Sequence, residues 1–283
     1  MKIAYFGYDP LFSCLDVFLK LGHQIAVIYT GESSIFSDKV IQFAKKNKIS
    51  LCFKKPSLSD MQALLDQGVE LFFSAEYPWK IPIPADLKYA INVHPTLLPE
   101  GRGMTPVPHL ILKQSIDSGI TLHKLSHEFD AGDILLQQPI PLDKSETFDS
   151  YSDKMFQQTP NLLSTLLSDL DGYFHNCQRQ GEGSYWPGIT VGEQTIDWLQ
   201  PTAVLLTTLR AFGSLGTYAD IAGKACVITS VLSINGRCYP HHYHAGQVIL
   251  NTQQYITTAT IDGELCIPTK SLLWRPFTSA ISP

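Results

Sequence analysis

Hydrophobic positions over the first 175 residues fall into two alternating textures. Residues 3–6, 25–29, 51–53, 69–74 and 89–93 are short apolar runs of the length of buried strands. Between them apolar residues recur three and four apart, as on one face of a helix: Leu11, Leu15, Phe18 and Leu19, then Val40, Ile41 and Phe43, then a stretch from 58 to about 67. The punctuation agrees. Asp9-Pro10 reads as a helix cap followed by proline at the first helical position, and Gly22 as the glycine closing that helix. Ser37 reads as the cap of a second helix with a basic end at Lys45, Lys46 and Lys48, and Ser57 or Ser59 as the cap of a third. Thr105-Pro106 opens a helix to about 114, residues 119–125 and 134–141 read as strands, and a long helical pattern runs from Thr147 to about 173. Strands alternating with helices predict βαβ units and an α/β fold with a mostly parallel sheet.

After Gln178 the texture changes. Residues 185–192 read as a connecting arm, and Ile196-Asp-Trp begins a second unit. One helix over 203–212 is followed by β-type runs at 225–231, 246–250, 255–260 and 264–267, with the hairpin signal Asp262-Gly263 between the last two. This predicts two domains, 1–185 and 186–283, the second a small β-barrel. Composition sharpens the picture little: 44% hydrophobic and 17% charged residues suit a compact globule. No apolar run reaches the eighteen or so residues of a membrane span, and the N-terminus has no signal-peptide layout. The six cysteines are scattered with no CxxC pair, which predicts buried free thiols in a reducing compartment and so a cytoplasmic protein that does not engage membranes.

The candidate chemistry sits in Asn92-Val-His94-Pro-Thr96-Leu-Leu-Pro-Glu-Gly-Arg102-Gly and, further on, Asp130-Ala-Gly-Asp-Ile. Residues two apart on a strand point the same way, so Asn92 and His94 can address one substrate atom. Both fall at a strand's carboxyl end, where ligands of such sheets bind. A later carboxylate, Asp130, can return to orient the imidazole. Donor, titratable ring and orienting acid are the parts of acyl transfer through an oxyanion. Other motifs carry less. Asp133 reads equally as a turn or a site residue. Gly7-Tyr-Asp-Pro lacks the GxGxxG pattern of a dinucleotide site. His241, His242 and His244 could meet at a metal, but lacking an acidic or thiol partner at suitable spacing they read as solvated turn residues, so no metal is expected.

The runs NVHPTLLPEGRGMTP and GITLHKLSHEFDAGDI resemble the signature of formyltransferases that use 10-formyltetrahydrofolate, in the branch holding methionyl-tRNA formyltransferase and the amino-sugar N-formyltransferases. IDWLQPTAVLLTTLRAF and HAGQVIL…TTATIDGEL are similar to that branch's C-terminal module, so the likeness covers nearly the whole chain. It implies a Rossmann-like catalytic domain followed by an open, OB-like barrel. It also implies Asn92, His94 and Asp130 as catalytic residues. Asn92 and protonated His94 would stabilise the oxyanion, and Asp130 would raise the His94 pKa. Tyr77, Trp79, Ile81, Glu128 and Phe129 lie where family members cradle the pterin. Thr96 stands where serine is commoner, as a substrate-site residue, and Arg102 is either an ion-pair partner or a contact to a substrate phosphate.

Among acceptors, a nucleotide-linked amino sugar is expected first. The segment Tyr29-Thr-Gly-Glu-Ser-Ser-Ile-Phe-Ser has no basic residue where the tRNA enzymes are understood to carry a basic insertion. Residues 186–283 balance five basic groups (Arg210, Lys224, Arg237, Lys270, Arg275) against five acidic ones (Glu193, Asp197, Asp220, Asp262, Glu264), and a polyphosphate-binding module usually shows a basic excess. Methionyl-tRNA and a carrier-bound aminoacyl group stay open as acceptors, as does a formyltetrahydrofolate hydrolase, and a homodimer is compatible with the chain.

Overall fold

The structure, a computed structural model, describes residues 1–32, 36–229 and 234–274. Part of the segment between Tyr29 and Ser37, the end of the strand expected over 225–231, and Arg275 lie outside the described residues. The chain divides into two compact units: residues 1–106, 116–141 and 152–187 form the first, and 107–115, 142–151 and 188–283 the second.

The first unit is built on seven strands: β1 (Lys2–Gly7), β2 (Gln24–Tyr29), β3 (Ser50–Cys52), β4 (Leu71–Ala75), β5 (Tyr89–Thr96), β6 (Ser118–Lys124) and β7 (Ile134–Pro139). Their order is β3-β2-β1-β4-β5-β6-β7; the first five run parallel, and β6 and β7 join antiparallel. Helices α1 (Ser13–Lys20), α2 (Asp38–Asn47) and α3 (Leu58–Asp66) connect the parallel strands, and α4 (Pro106–Lys113) links β5 to β6. The continuous apolar runs are buried as a parallel sheet requires: in β1, Ile3 to Phe6 are wholly inaccessible.

Four local expectations differ. Asp9 does not cap the helix that follows it; its carboxylate accepts from the backbone N–H groups of Lys39 (3.0 Å) and Val40 (2.9 Å), capping α2 instead. Ser37 occupies the cap position of α2, but its hydroxyl donates to the Glu32 carbonyl, so the orphan amides take the distant carboxylate. The expected helix from 147 to 173 is two: α5 (Phe148–Ser168) and α6 (Leu170–His175), divided where the Asp169 carboxylate takes the Gly172 N–H. Strand β5 runs past 93 to Thr96. Pro95, which cannot donate to the ladder, sits where the β5–β6 register shifts, so the strand survives its proline.

In the second unit, α7 (Thr202–Phe212) is joined by β8 (Thr217–Ile221), β9 (Lys224–Ile228), β10 (Asn235–Cys238), β11 (Val248–Asn251), β12 (Tyr255–Ala259), β13 (Gly263–Pro268) and β14 (Leu272–Trp274). They form two antiparallel sheets, β14-β9-β8 and β10-β13-β12-β11, consistent with a small barrel-like module. Leu205 and Leu209 of α7 pack with Ile221, Ile228, Ile256, Leu265 and Ile267 in its core. Asp262, in the expected hairpin turn, also accepts from the Thr202 N–H (2.9 Å) and so starts α7. Strands β8, β10 and β14 were not legible. β10 is Asn-Gly-Arg-Cys, mostly exposed, and exists because β13 offers it a partner. No described helix is long and apolar enough to cross a membrane. All six cysteines are free, though only Cys14 and Cys226 are buried and Cys238 is exposed.

Candidate active site

At the carboxyl ends of β4 and β5 lies a cavity of about 560 Å³, lined wholly by first-unit residues, within the size range of small-molecule sites. Register sets its floor: Ser74 pairs with Asn92, and Asn92 in turn faces His123 on β6. The loop between β6 and β7 returns Asp130 to this point. Asp130 takes a left-handed conformation (φ 55°), and Gly132 behind it passes so close to β6 that a Cβ would stand 1.8 Å from the Lys124 carbonyl oxygen.

Asp130 is the hub. Its Oδ1 accepts from the Asn92 amide (3.2 Å) and lies 3.4 Å from His94 Nδ1 and 3.6 Å from His123 Nε2, while its Oδ2 accepts from the Gly103 N–H (3.0 Å). Burial pushes this carboxyl up, but His94, His123 and the Gly103 amide outweigh it and hold it at about 2. The carboxylate is therefore ionised and fully engaged.

His94 is buried, with Nε2 2.8 Å from the Gly101 carbonyl oxygen. Burial lowers its pKa below the ordinary histidine value, and Asp130 only partly opposes this. Asp130 does raise the His94 pKa as expected, but the net movement is downward because the ring loses more water than one carboxylate restores. Both ring nitrogens face oxygens, so either neutral tautomer leaves one lone pair against an acceptor. The glycines of the motif make this possible. Gly101 (φ 72°) and Gly103 (φ 126°) turn one carbonyl to His94 and one N–H to Asp130, and a Cβ on Gly103 would stand 2.1 Å from the Trp186 carbonyl oxygen.

His123 lies in the same motif, on β6. Its Nδ1 donates to the Lys124 carbonyl (2.8 Å), which leaves Nε2 to accept from the Asn92 amide (3.1 Å). The Asn92 NH₂ group, expected to face an oxyanion, is therefore directed at His123 and Asp130 here. The signal that finds His123 is cross-strand register, which a sequence does not carry. Glu76, which no sequence motif marks, lines the cavity just beyond β4 at φ 60°.

Tyr77, Trp79, Ile81, Glu128 and Phe129 all line the same cavity. Tyr77 packs edge-on against Phe6 (5.6 Å) and Trp79 edge-on against Tyr77 (5.4 Å), so the sheet core fixes the aromatic wall. Lys80 ties the two walls together: it donates to the His127 carbonyl (3.0 Å) and lies 5.1 Å over the Phe129 ring. Thr96 and Arg102 are not brought to the cavity. Thr96 is buried and donates to the Glu100 carbonyl (2.6 Å), and Arg102 donates to Gln180 (2.9 Å) and the Gly181 carbonyl (3.0 Å). Asp133 pairs with Lys124 (3.5 Å). His241 lies outside the cavity, packed between Tyr239 and Tyr243, and no metal-holding group of His, Cys, Asp or Glu occurs among the described residues.

An aromatic-walled slot ending in an amide, two imidazoles and a carboxylate suits a flat heterocycle carrying a reactive carbonyl. Comparison with known proteins specifies the class. Residues 61–167 match the family model described as formyl transferase. The methionyl-tRNA formyltransferase of Alcanivorax borkumensis is 34% identical over 227 residues, covering 75% of this chain and 69% of that one. The N-formyltransferase of Helicobacter canadensis, whose structure holds folinic acid and dTDP-3-aminofucose, aligns at TM-score 0.66 with 16% identity, over 94% of this chain and 98% of that one. A HypX variant from Aquifex aeolicus aligns at TM-score 0.65 with 18% identity over 98% of this chain, which spans 47% of that longer protein. Fold, cavity and family match define a formyl-transferring enzyme. The chain belongs to the formyltransferase family that uses 10-formyltetrahydrofolate. The slot fits that formyl donor: the aromatic wall suits the pterin, and the polar end the formyl carbonyl.

Proposed function

We propose that this enzyme moves the formyl group of 10-formyltetrahydrofolate to the primary amine of a nucleotide-linked amino sugar, with Asn92, His94 and Asp130 as its catalytic residues. Tyr77, Trp79, Ile81, Glu128 and Phe129 hold the pterin. When bound, the folate supplies the formyl group; the protein orients and polarises it. Asn92 and His94 lie two apart at the end of β5, and a carbonyl oxygen seated there draws the Asn92 amide from Asp130 and a His94 N–H from the oxygen it otherwise faces. Asp130 holds the imidazole and favours its charged form as negative charge develops on that oxygen.

The sugar acceptor rests on one observation, the even charge balance of residues 186–283. The structural neighbour crystallised with dTDP-3-aminofucose agrees with it. A second reading, methionyl-tRNA, is favoured by the name of the Alcanivorax relative. Side-by-side formylation of dTDP-amino sugars and initiator methionyl-tRNA decides between them. A sugar should be formylated with kcat/KM at least about tenfold above that for tRNA, with little change between low and physiological salt; the reverse ranking with a steep salt dependence overturns the sugar.

A further inference from the structure

Transfer to an amine has a proton to dispose of. As the amine nitrogen forms its bond to the formyl carbon and the bond from that carbon to N10 breaks, one N–H proton leaves the amine and N10 gains one. A group that passes it serves best when it is open to substrate, uncommitted, and titrates near neutrality. The polar groups gathered at Asp130, and Lys80 on the wall, are committed. Both Asp130 oxygens are engaged and its carboxyl is held at about 2. The nitrogens of His94 face Gly101 and Asp130, and those of His123 face Lys124 and Asn92. Lys80 is held by the His127 carbonyl.

Glu76 differs. Its side chain is exposed to the cavity, and its carboxyl has no hydrogen-bond or ion-pair partner among the described residues. It stands one residue beyond Ala75, which pairs with Val93, so the strand register places it beside the end of β5 that carries His94. Its left-handed backbone (φ 60°) is a conformation a non-glycine residue keeps only at a cost of about 1 kcal/mol or more.

We propose that Glu76 carries the transferred proton, taking it from the acceptor nitrogen as the new C–N bond forms and giving it to N10 as the old one breaks. The carboxylate is regenerated and no other reactant is needed. The inference rests on the proposed reading of the cavity. Desolvation of the Glu76 carboxyl at the cavity wall, with the charge of Asp130 adding to it, pushes the group up to about 7. The groups around it are Asp130 from the β6–β7 loop, the buried Tyr5 of β1, and, on the cavity wall, His94, His123, Lys80, His127 and Glu128.

The test compares the pH dependence of kcat/KM for the acceptor, at saturating formyl donor, in wild type, Glu76→Gln and Glu76→Asp, with His94→Ala as the control on the site itself. Wild-type kcat/KM should rise as pH passes about 7. Glu76→Gln should fall at least about tenfold and lose that inflection, with binding of 5-formyltetrahydrofolate held within about twofold, and Glu76→Asp should recover part of both. An inflection kept in Glu76→Gln belongs to the amine and counts against Glu76. If Glu76→Gln matches wild type while His94→Ala is inactive, this inference is overturned and the proposed function stands; if both remain active, the reading of the site falls too. Melting supplies an arm that needs no acceptor. A carboxyl whose folded pKa is raised costs stability as pH rises from its unfolded value of about 4.5 to about 7, so Glu76→Gln should melt above wild type at pH 8 and level with it at pH 4. An offset that is the same at both pH values overturns the titration.

Discussion

Asp130 joins three polar groups of β5 and β6 to the glycine turn of the motif, and its removal should act on chemistry more than on fold. Asp130→Ala and His94→Ala should each lower turnover at least about a hundredfold, the scale of positioned acid–base and oxyanion groups, with far-UV circular dichroism unchanged. Rates within a few-fold of wild type in folded protein would remove these residues from the mechanism. The same pair sets an acid limit. His94 titrates below its unfolded value of about 6.5, so the unfolded chain takes up its proton first and the fold loses stability as pH falls through that value. Asp130, held at about 2, adds its loss below about 4. In the Glu76→Gln background, which removes the opposing titration of Glu76, melting temperature should therefore decline from pH 7 to pH 4, and His94→Gln should flatten the upper part of that decline. Asn92 and His94 were legible because strand periodicity alone puts them on one side. His123 and Glu76 were not: one depends on antiparallel register, the other on how much water its carboxyl loses.

Among the elements, α2 shows most clearly how the chain stabilises itself across distance. Its first N–H groups bond Asp9, thirty residues earlier in a different loop, where sequence proximity had pointed to Ser37. Asp9→Ala should cost about 1 kcal/mol in urea unfolding, the usual loss of a helix cap. Ser37→Ala should cost less, since its hydroxyl bonds a loop carbonyl instead of the helix end. At the β6–β7 loop, Gly132→Ala drives a Cβ into the Lys124 carbonyl and should cost at least about 2 kcal/mol, with loss of activity as Asp130 shifts. A Gly132→Ala protein of wild-type stability and rate would show that this close approach does not hold the loop.

For the molecule as a whole, the determined and the undetermined divide along the reach of the interactions. Composition and apolar period are short-range, and they were enough for the α/β sheet, its seven strands and four strands of the barrel-like module that follows. The paired runs NVHPTLLPEGRG and DAGD fell within reach because chemistry there depends on residue type at close spacing. Besides His123 and Glu76, the tertiary structure decided which carboxylate caps α2, whether the exposed run Asn-Gly-Arg-Cys becomes a strand, and which way the His94 pKa moves. The first two are hydrogen bonds between segments far apart in the chain. The third is a balance between lost water and gained charge, which has no value until the side chain is buried.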